Sequence, residues 1–480
     1  MPKVKQLNPL SDQFISERIH FENTWWLSSK TESEFSSKSK RAYFENFKAI
    51  LEDRSSRKPI VLMGPTQSGK TVFIQHAIQH LLDKEISAMK IAYIGLGNPA
   101  LNSLDLSKLV AMIHQASAKQ SESDSYIFLD DIHYLNFWLD ELMPLVDQYP
   151  EVQFVVSSSV NPSYYPGDVV YSLNKVKEFV LPPITFTEYL SIKKVDQLIL
   201  PSTIEWRGSQ HNFYAASNIK ELNRQFLEYL NYGSFPQVAY SRSSSSEAMK
   251  SLMPATLQKS ILSDVANVYG IQNIQELNSL FALLANFTGK EVSLESLSSI
   301  SGIEKYLLRK YIEYLEAAFL IRVIHRVDEF AQKFTRANYF KVYLTNTAVR
   351  TLFFFPVEAT DESMPELVST VIFSQWLHRY RFTPYYARWT QGEISMLGID
   401  ERRDKPQGAL EIKWTNYFVN QPDELKNLIH FCYQNEMDTA MVTTLDTEAV
   451  KEVDELNLHF VPAAIYAYVV GINTLERAIR

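Results

Sequence analysis

The chain has 480 residues, 46% of them apolar and 21% charged, with 13% aromatic and 14 glycines. This excludes a disordered or collagen-like chain and calls for two to four domains. A formal net charge of −8 excludes a global attraction to nucleic acid, so any DNA contact needs a local basic patch. The lone cysteine, Cys432, excludes an internal disulfide and a cysteine-based zinc cluster. MPKVKQLNPL at the start has no apolar core of signal-peptide length, and no stretch approaches the ~20 apolar residues of a membrane span. The expected compartment is the cytoplasm, with no membrane partner.

Residues 1–44 are polar except for Trp25 and Trp26, which are expected to pack onto the first domain. From Pro59 to Pro182 short apolar runs alternate with amphipathic helices. The pattern predicts strands at 59–63, 90–95, 125–129, 153–157 and 177–181, with helices around 71–82, 104–117 and 137–148. Mostly apolar strands at this spacing predict a parallel sheet covered on both faces.

The segment GPTQSGKT follows the first strand and opens a helix, the context of a P-loop. Gly64 and Gly69 let the loop 64–71 (Gly64, Pro65, Thr66, Gln67, Ser68, Gly69, Lys70, Thr71) curl its N–H groups toward phosphates. Lys70 is expected at the β- and γ-phosphates and Thr71 at Mg²⁺, with ATP as the ligand. The strand YIFL delivers Asp130 and Asp131 to its C-terminal end, where ligands sit in open α/β sheets. Asp130 is the expected second Mg²⁺ contact, and Asp131 stands where many such ATPases have a water-polarising glutamate. The fourth strand ends in Ser157, Ser158 and Ser159; Ser158 is assigned the role of sensing the γ-phosphate.

After Pro183, Thr185 and Glu188 have capping-box spacing, and Ile184 with Tyr189 forms a hydrophobic staple. A mainly helical region is predicted from there to about 318. Within it, Leu294, Leu297 and Ile300 mark one helix, Gly302 a turn, and Leu308, Ile312 and Leu315 a second helix. With a hairpin of 319–327 and 338–344 they make a winged helix-turn-helix. Lys305, Arg309 and Lys310 lie off its apolar stripe, and Arg322, Arg326, Lys333 and Arg336 add charge. Glu304, Glu313 and Glu316 interrupt that patch, so DNA contact through 291–344 and simple packing are both open. From about 346 strands at 384–389, 393–399, 408–414 and 438–443 predict a further α/β domain.

The order of parts resembles the AAA-type ATPases of bacteria and archaea that carry a C-terminal domain of unknown function with a restriction-endonuclease-like fold. NTWW at 23–26, GPTQSGKT, LDDIH at 129–133, LPPITFTEYL at 181–190, YGSFPQV at 232–238, YLEAAFLIRVI at 314–324 and NYFKVYLTNTAVR at 338–350 carry it. The resemblance implies an N-terminal extension (1–44), an AAA-type core (45–190), a helical lid (191–254), a helical and winged-helix module (255–345) and a PD-(D/E)XK-like domain (346–480). In that last domain Glu411, Lys413 and Glu366 match the family, but Ser395 replaces the aspartate that would complete the metal site. Glu393 lies one strand repeat away, ~6.5–7 Å, and Asp400 has the wrong parity. Three further departures bear on turnover: Thr66 where the family has arginine, Asp131 for glutamate, and Ser172-Leu173-Asn174-Lys175 where a Gly-Arg pair is usual. Lys175 or Lys177 would replace that arginine only in part, since a point charge lacks its fork. The expectation is a slow ATPase moving its C-terminal half. The alternative is a nucleotide-gated DNA- or protein-binding switch, and an active nuclease is disfavoured.

Overall fold

The computed structural model describes residues 11–101, 104–117, 125–164, 175–255, 263–334, 338–379, 382–400 and 405–476. The chain forms two compact units, Met1–Leu181 with Asn267–Gly270, and Pro182–Ala266 with Ile271–Arg480. Among the described residues no helix is long and apolar enough to cross a membrane.

In the first unit α1 (Asp12–Glu22) and α2 (Phe44–Glu52) precede β1 (Ile60–Met63). Then come α3 (Lys70–Asp83), β2 (Ile91–Gly95), α4 (Leu106–Ser117), β3 (Ser125–Asp130), α5 (Trp138–Gln148), β4 (Val152–Ser158) and β5 (Lys177–Val180). The five strands are parallel in the order β2-β3-β4-β1-β5. β1 and β4 are buried along their whole length, as continuous apolar runs covered on both faces require. Pairing of Met63 with Ser158 and of Leu129 with Val156 brings the C-terminal tips of β1, β3 and β4 together.

The open edge of β2 is closed by side chains rather than by another strand. Asn23 accepts the Tyr93 N–H at 2.7 Å and donates to the Tyr93 carbonyl at 2.8 Å. The indoles of Trp25 and Trp26 both donate to the Ile91 carbonyl at 2.9 Å, and Glu22 accepts the Gly95 N–H at 2.6 Å. Positions 91, 93 and 95 are the outward-facing ladder groups of an edge strand, which would otherwise lie open to pairing with another chain.

The second unit starts with α6 (Phe186–Ile192), whose capping box between Thr185 and Glu188 is formed as expected. Ile184, Phe186 and Tyr189 are buried in its core. The expected run of helices is then interrupted by a hairpin, β6 (Ile199–Trp206) and β7 (Ser209–Ala216). Arg207 and Gly208 both have positive φ, 52° and 69°, the backbone of a two-residue hairpin turn. Ile204 and Tyr214 from this hairpin pack against the core while most of its other residues are exposed, so the apolar alternation is faint.

There follow α7 (Ile219–Glu228), α8 (Ile274–Asn286), β8 (Glu291–Ser293), α9 (Leu294–Ser301), α10 (Lys305–Ala317), β9 (Ile321–Val327) and β10 (Tyr339–Leu344). Gly302, at φ 72°, makes the turn between α9 and α10, while Ile300 is exposed rather than part of the apolar stripe. α11 (Met364–Ser374), β11 (Pro384–Arg388), β12 (Glu393–Asp400), β13 (Lys405–Glu411), α12 (Lys426–Gln434), β14 (Thr439–Thr444), β15 (Ala449–Val453), β16 (Leu456–Pro462) and α13 (Ala463–Glu476) complete the unit. Among the described residues nine strands share one sheet, β15-β16-β14-β13-β12-β11-β9-β10-β8. The boundary expected near 346 does not divide this sheet, because β9 pairs directly with β11.

Candidate functional site

The loop after β1 is shaped by three residues in unusual backbone conformations. Gly64 has φ 150°, Gln67 63° and Gly69 93°. A Cβ on Gly64 would stand 2.2 Å from the Leu181 carbonyl oxygen, so only glycine fits where the loop leaves the sheet. The curl delivers the chain into α3 with Lys70 and Thr71 in the first turn. The Ser68 hydroxyl is buried in the loop without a hydrogen-bond partner among the described residues, and Arg41 donates to the Ser68 carbonyl at 2.9 Å.

Lys70 is 6% exposed and its ammonium donates to the carbonyls of Gly64 and Pro65, at 2.9 and 3.0 Å, and to Ser159 Oγ at 3.0 Å. Thr71 Oγ1 donates to Asp130 Oδ2 at 2.7 Å. The same oxygen accepts the Tyr93 hydroxyl at 3.0 Å, and Ser157 Oγ donates to Asp130 Oδ1. The buried Asp130 carboxylate is thus held by three hydroxyl groups from α3, β2 and β4.

Asp131 has left-handed backbone (φ 56°), and its N–H donates to Ser157 Oγ at 2.9 Å. Its carboxylate reaches toward Gly97, where a Cβ would lie 3.3 Å from Oδ2. A cavity of about 320 Å³ opens beside these groups, lined among others by Thr71, Asp130, Asp131, Glu22 and Arg18. Glu22 pairs with Arg18 at 2.5 Å. Burial, aided by the Asp130 charge, outweighs the Gly95 N–H and Arg18 and raises the Glu22 pKa above its ordinary value. Burial, and then the charges of Asp130 and Glu22, raise the Tyr93 pKa far above that of a free phenol, so the hydroxyl remains a donor.

Ser158 faces elsewhere than expected. Its hydroxyl donates to the Val160 carbonyl at 2.6 Å and accepts the Val160 N–H at 3.1 Å, closing its own turn. Ser157 and Ser159, two residues apart and so on one face of the strand, are the ones that meet Asp130 and Lys70. His133 was also missed; its Nδ1 accepts the Ser159 N–H at 3.3 Å. Nothing in the local sequence separates three consecutive serines at a strand tip. Ser172, Leu173, Asn174 and Arg336, singled out above, lie outside the described residues.

Residues 56–190 match the family model of the AAA domain. This segment is similar to AAA domains. Within it lie β1 to β5, the loop 64–71, Asp130 and Ser157 to Ser159. Residues 223–354 match a second model, described as Domain of unknown function (DUF8612). No curated protein matches the chain. Among solved structures it is similar to PCH-2 of C. elegans over 62% of this chain and 72% of that one, at 13% identity and a TM-score of 0.23. It is also similar to AMPPCP-bound DnaA of Aquifex aeolicus over 57% and 87%, at 13% identity and a TM-score of 0.25. At such values neither adds to the assignment of the AAA domain.

In the second unit Glu411 of β13 is nearly buried. Its Oε2 accepts the Ser395 N–H at 3.1 Å and its Oε1 pairs with Lys413 at 2.8 Å. Ser395 Oγ accepts the Ile412 N–H at 3.1 Å. Glu393 is paired with Lys341 and Arg388 instead. Glu366 has a buried carboxylate oxygen without a partner among the described residues. Among the described residues no three His, Cys, Asp or Glu side chains form a group that would hold a metal ion.

The basic residues of 291–344 are largely engaged. Lys305 pairs with Glu295 at 2.7 Å, and Lys310 lies 4.5 Å from the centre of the Tyr306 ring. Arg322 was expected on the wing surface, but it donates to the Phe382 carbonyl and burial lowers its pKa to about 10. Arg326 donates to the Arg388 carbonyl at 3.0 Å, and Lys333 lies over Tyr385.

Proposed function

We propose that the AAA domain binds ATP with Mg²⁺ in the loop 64–71 and hydrolyses it slowly. The observation that carries this reading is the Thr71–Asp130 hydrogen bond at the end of a curled glycine loop. The donor set fits the ligands: a helix N-terminus, loop N–H groups and an ammonium for phosphates, a hydroxyl and a carboxylate for a hard cation. When bound, Mg²⁺ supplies charge neutralisation at the β- and γ-phosphates. Lys70 would exchange its loop carbonyls for phosphate oxygens, Thr71 and Asp130 would hold the cation, and Ser159 would follow Lys70.

Slow turnover is supported by Asp131, one methylene shorter than a glutamate. It is also supported by Lys177, which pairs with Asp53 at 3.0 Å and so stands in poorly for an arginine. That engagement equally favours a second reading, a nucleotide-gated switch with little hydrolysis. In the second unit α9, α10, β9 and β10 support a winged-helix module, and the order β11-β12-β13 followed by α12 and parallel β14 supports a nuclease-like one. The engagement of Arg322 and Arg326 within the second unit favours packing over DNA contact for the former.

The deciding experiment compares wild type and Lys70→Ala by thermal melting with Mg-ATP. Wild type should gain melting temperature with nucleotide and the variant should not. An equal gain in both would exclude the loop as the binding site.

A further inference from the structure

Asp130 is the group on which the nucleotide reading turns, and its carboxylate offers about four lone-pair directions. Thr71, Ser157 and Tyr93 fill three of them. Thr71 and Ser157 belong to the loop-helix and the β4 tip, where such contacts are expected. Tyr93 does not. It stands in the middle of the edge strand β2, and it spans from the sheet edge to the metal-binding carboxylate.

What fixes Tyr93 lies outside the sheet. Its N–H and carbonyl are both taken by Asn23, itself 1% exposed, whose amide also donates to the Ile19 carbonyl at 2.7 Å. The Tyr93 ring meets Trp25 edge-on with centroids 6.5 Å apart. On either side along β2, Glu22 holds Gly95 and the two indoles hold Ile91. The segment 19–26 therefore replaces a sixth strand residue by residue, and the strand it fixes presents one hydroxyl to Asp130.

We propose that Tyr93 is a positioning residue for the metal-binding carboxylate, and that Asn23 holds it there, making the N-terminal segment a working part of the nucleotide site. The proposal rests on the reading of that site given above. A carboxylate whose lone pairs are already directed by three hydroxyls loses little freedom when a hydrated cation takes the remaining direction, which is preorganisation. Without the phenol, Asp130 Oδ2 keeps only Thr71, and that hydroxyl is the one a bound cation would need.

The test is thermal melting of the full chain with ATP, first in EDTA and then across a Mg²⁺ titration. Tyr93→Phe removes only the hydroxyl and keeps the ring and the Asn23 clamp. Its stabilisation by ATP in EDTA should equal that of wild type, while the Mg²⁺ concentration for half of the additional effect should rise on the order of tenfold, the effect of one hydrogen bond to a charged group. Asn23→Ala should shift the Mg²⁺ midpoint in the same direction, and Asn23→Asp, which sets a carboxylate oxygen against the Tyr93 and Ile19 carbonyls that the amide donates to, should shift it at least as far. A Tyr93→Phe midpoint equal to that of wild type overturns the role of Tyr93. Equal loss of ATP stabilisation in EDTA and in Mg²⁺ also overturns it, by showing a general structural defect. A wild type that does not respond to ATP at all instead overturns the nucleotide reading itself.

Discussion

Thr71 Oγ1 donates to Asp130 Oδ2 across 2.7 Å, joining the first turn of α3 to the tip of β3. The contact makes Asp130 and Asp131 separable. Asp130→Asn turns one acceptor oxygen into a donor facing hydroxyls, so Mg²⁺ should no longer improve nucleotide binding. Asp131→Asn leaves that cluster intact and should bind Mg-ATP as wild type does while turning it over on the order of a hundredfold more slowly, the typical contribution of a positioned base. Equilibrium binding and phosphate release on both variants check this, and full turnover in Asp131→Asn would remove it from the role of base.

Glu22 gives the first unit a pH signature. Its burial raises the carboxyl pKa despite the Gly95 N–H and Arg18. An acid that binds its proton more tightly folded than unfolded costs stability as pH rises from the ordinary carboxylate value through the raised one. Glu22→Gln keeps an acceptor for Gly95 without this titration. The melting temperature of the variant relative to wild type should therefore climb as pH rises above the ordinary carboxylate range. A constant difference over that rise would show that Glu22 is charged throughout in the folded chain.

The strands of the first unit were legible because they are buried on both faces, so Ile60–Met63 and Phe154–Val156 read as unbroken apolar runs. The loop 64–71 was legible because its glycines answer a local steric demand, and the box at Thr185 because a cap is local. Tyr93 and Asn23 were not, since they meet across 70 residues by backbone groups that any sequence possesses. NTWW was only a marker of that junction. The hairpin β6–β7 escaped because Pro201 and exposed polar residues blur its alternation, and Ser158 because a shift of one residue at a strand tip reverses the face.

The helices α9 and α10 carry a prediction about nucleic acid. Lys305, Lys310, Arg322 and Arg326 already have partners within the second unit. Duplex DNA at low salt should accordingly show no retention by wild type, with or without ATP, and neutralising Lys305, Arg309 and Lys310 together should change nothing. Binding that weakens in the triple variant and loses its steep salt dependence would restore DNA as a partner.

Cys432 reports on the second unit. It lies at 0% exposure in a core with Leu428, Phe431 and Ala440, and burial pushes its thiol up to about 12. Alkylation in native buffer should be more than about a hundredfold slower than in denaturant, because the thiolate is both scarce and inaccessible. As the single cysteine of the chain, it can be followed by intact mass alone. Rapid native labelling would mean that the core around α12 opens.

Glu411 and Ser395 decide whether the second unit cleaves nucleic acid. A divalent cation in such a site is held by anionic oxygens from adjacent strands. Here one strand offers Glu411, and the other offers a neutral hydroxyl that accepts the Ile412 N–H. Both Glu411 oxygens are in use, one by the Ser395 N–H and one by the Lys413 ammonium. A cation would have to displace Lys413 and would gain only one charge in return. Wild type should therefore leave plasmid and single-stranded DNA intact in Mg²⁺ and in Mn²⁺, and neither cation should raise the melting temperature of this unit. Glu411→Gln removes the partner of Lys413 and should cost about 1 kcal/mol of stability, as for a partly exposed charged hydrogen bond. Ser395→Asp supplies the second carboxylate beside Glu411, where like charges repel. Its melting temperature should fall in EDTA and recover with Mn²⁺. Cleavage by wild type that disappears in Glu411→Gln would overturn this account, since the carboxylate would then be serving a metal rather than Lys413.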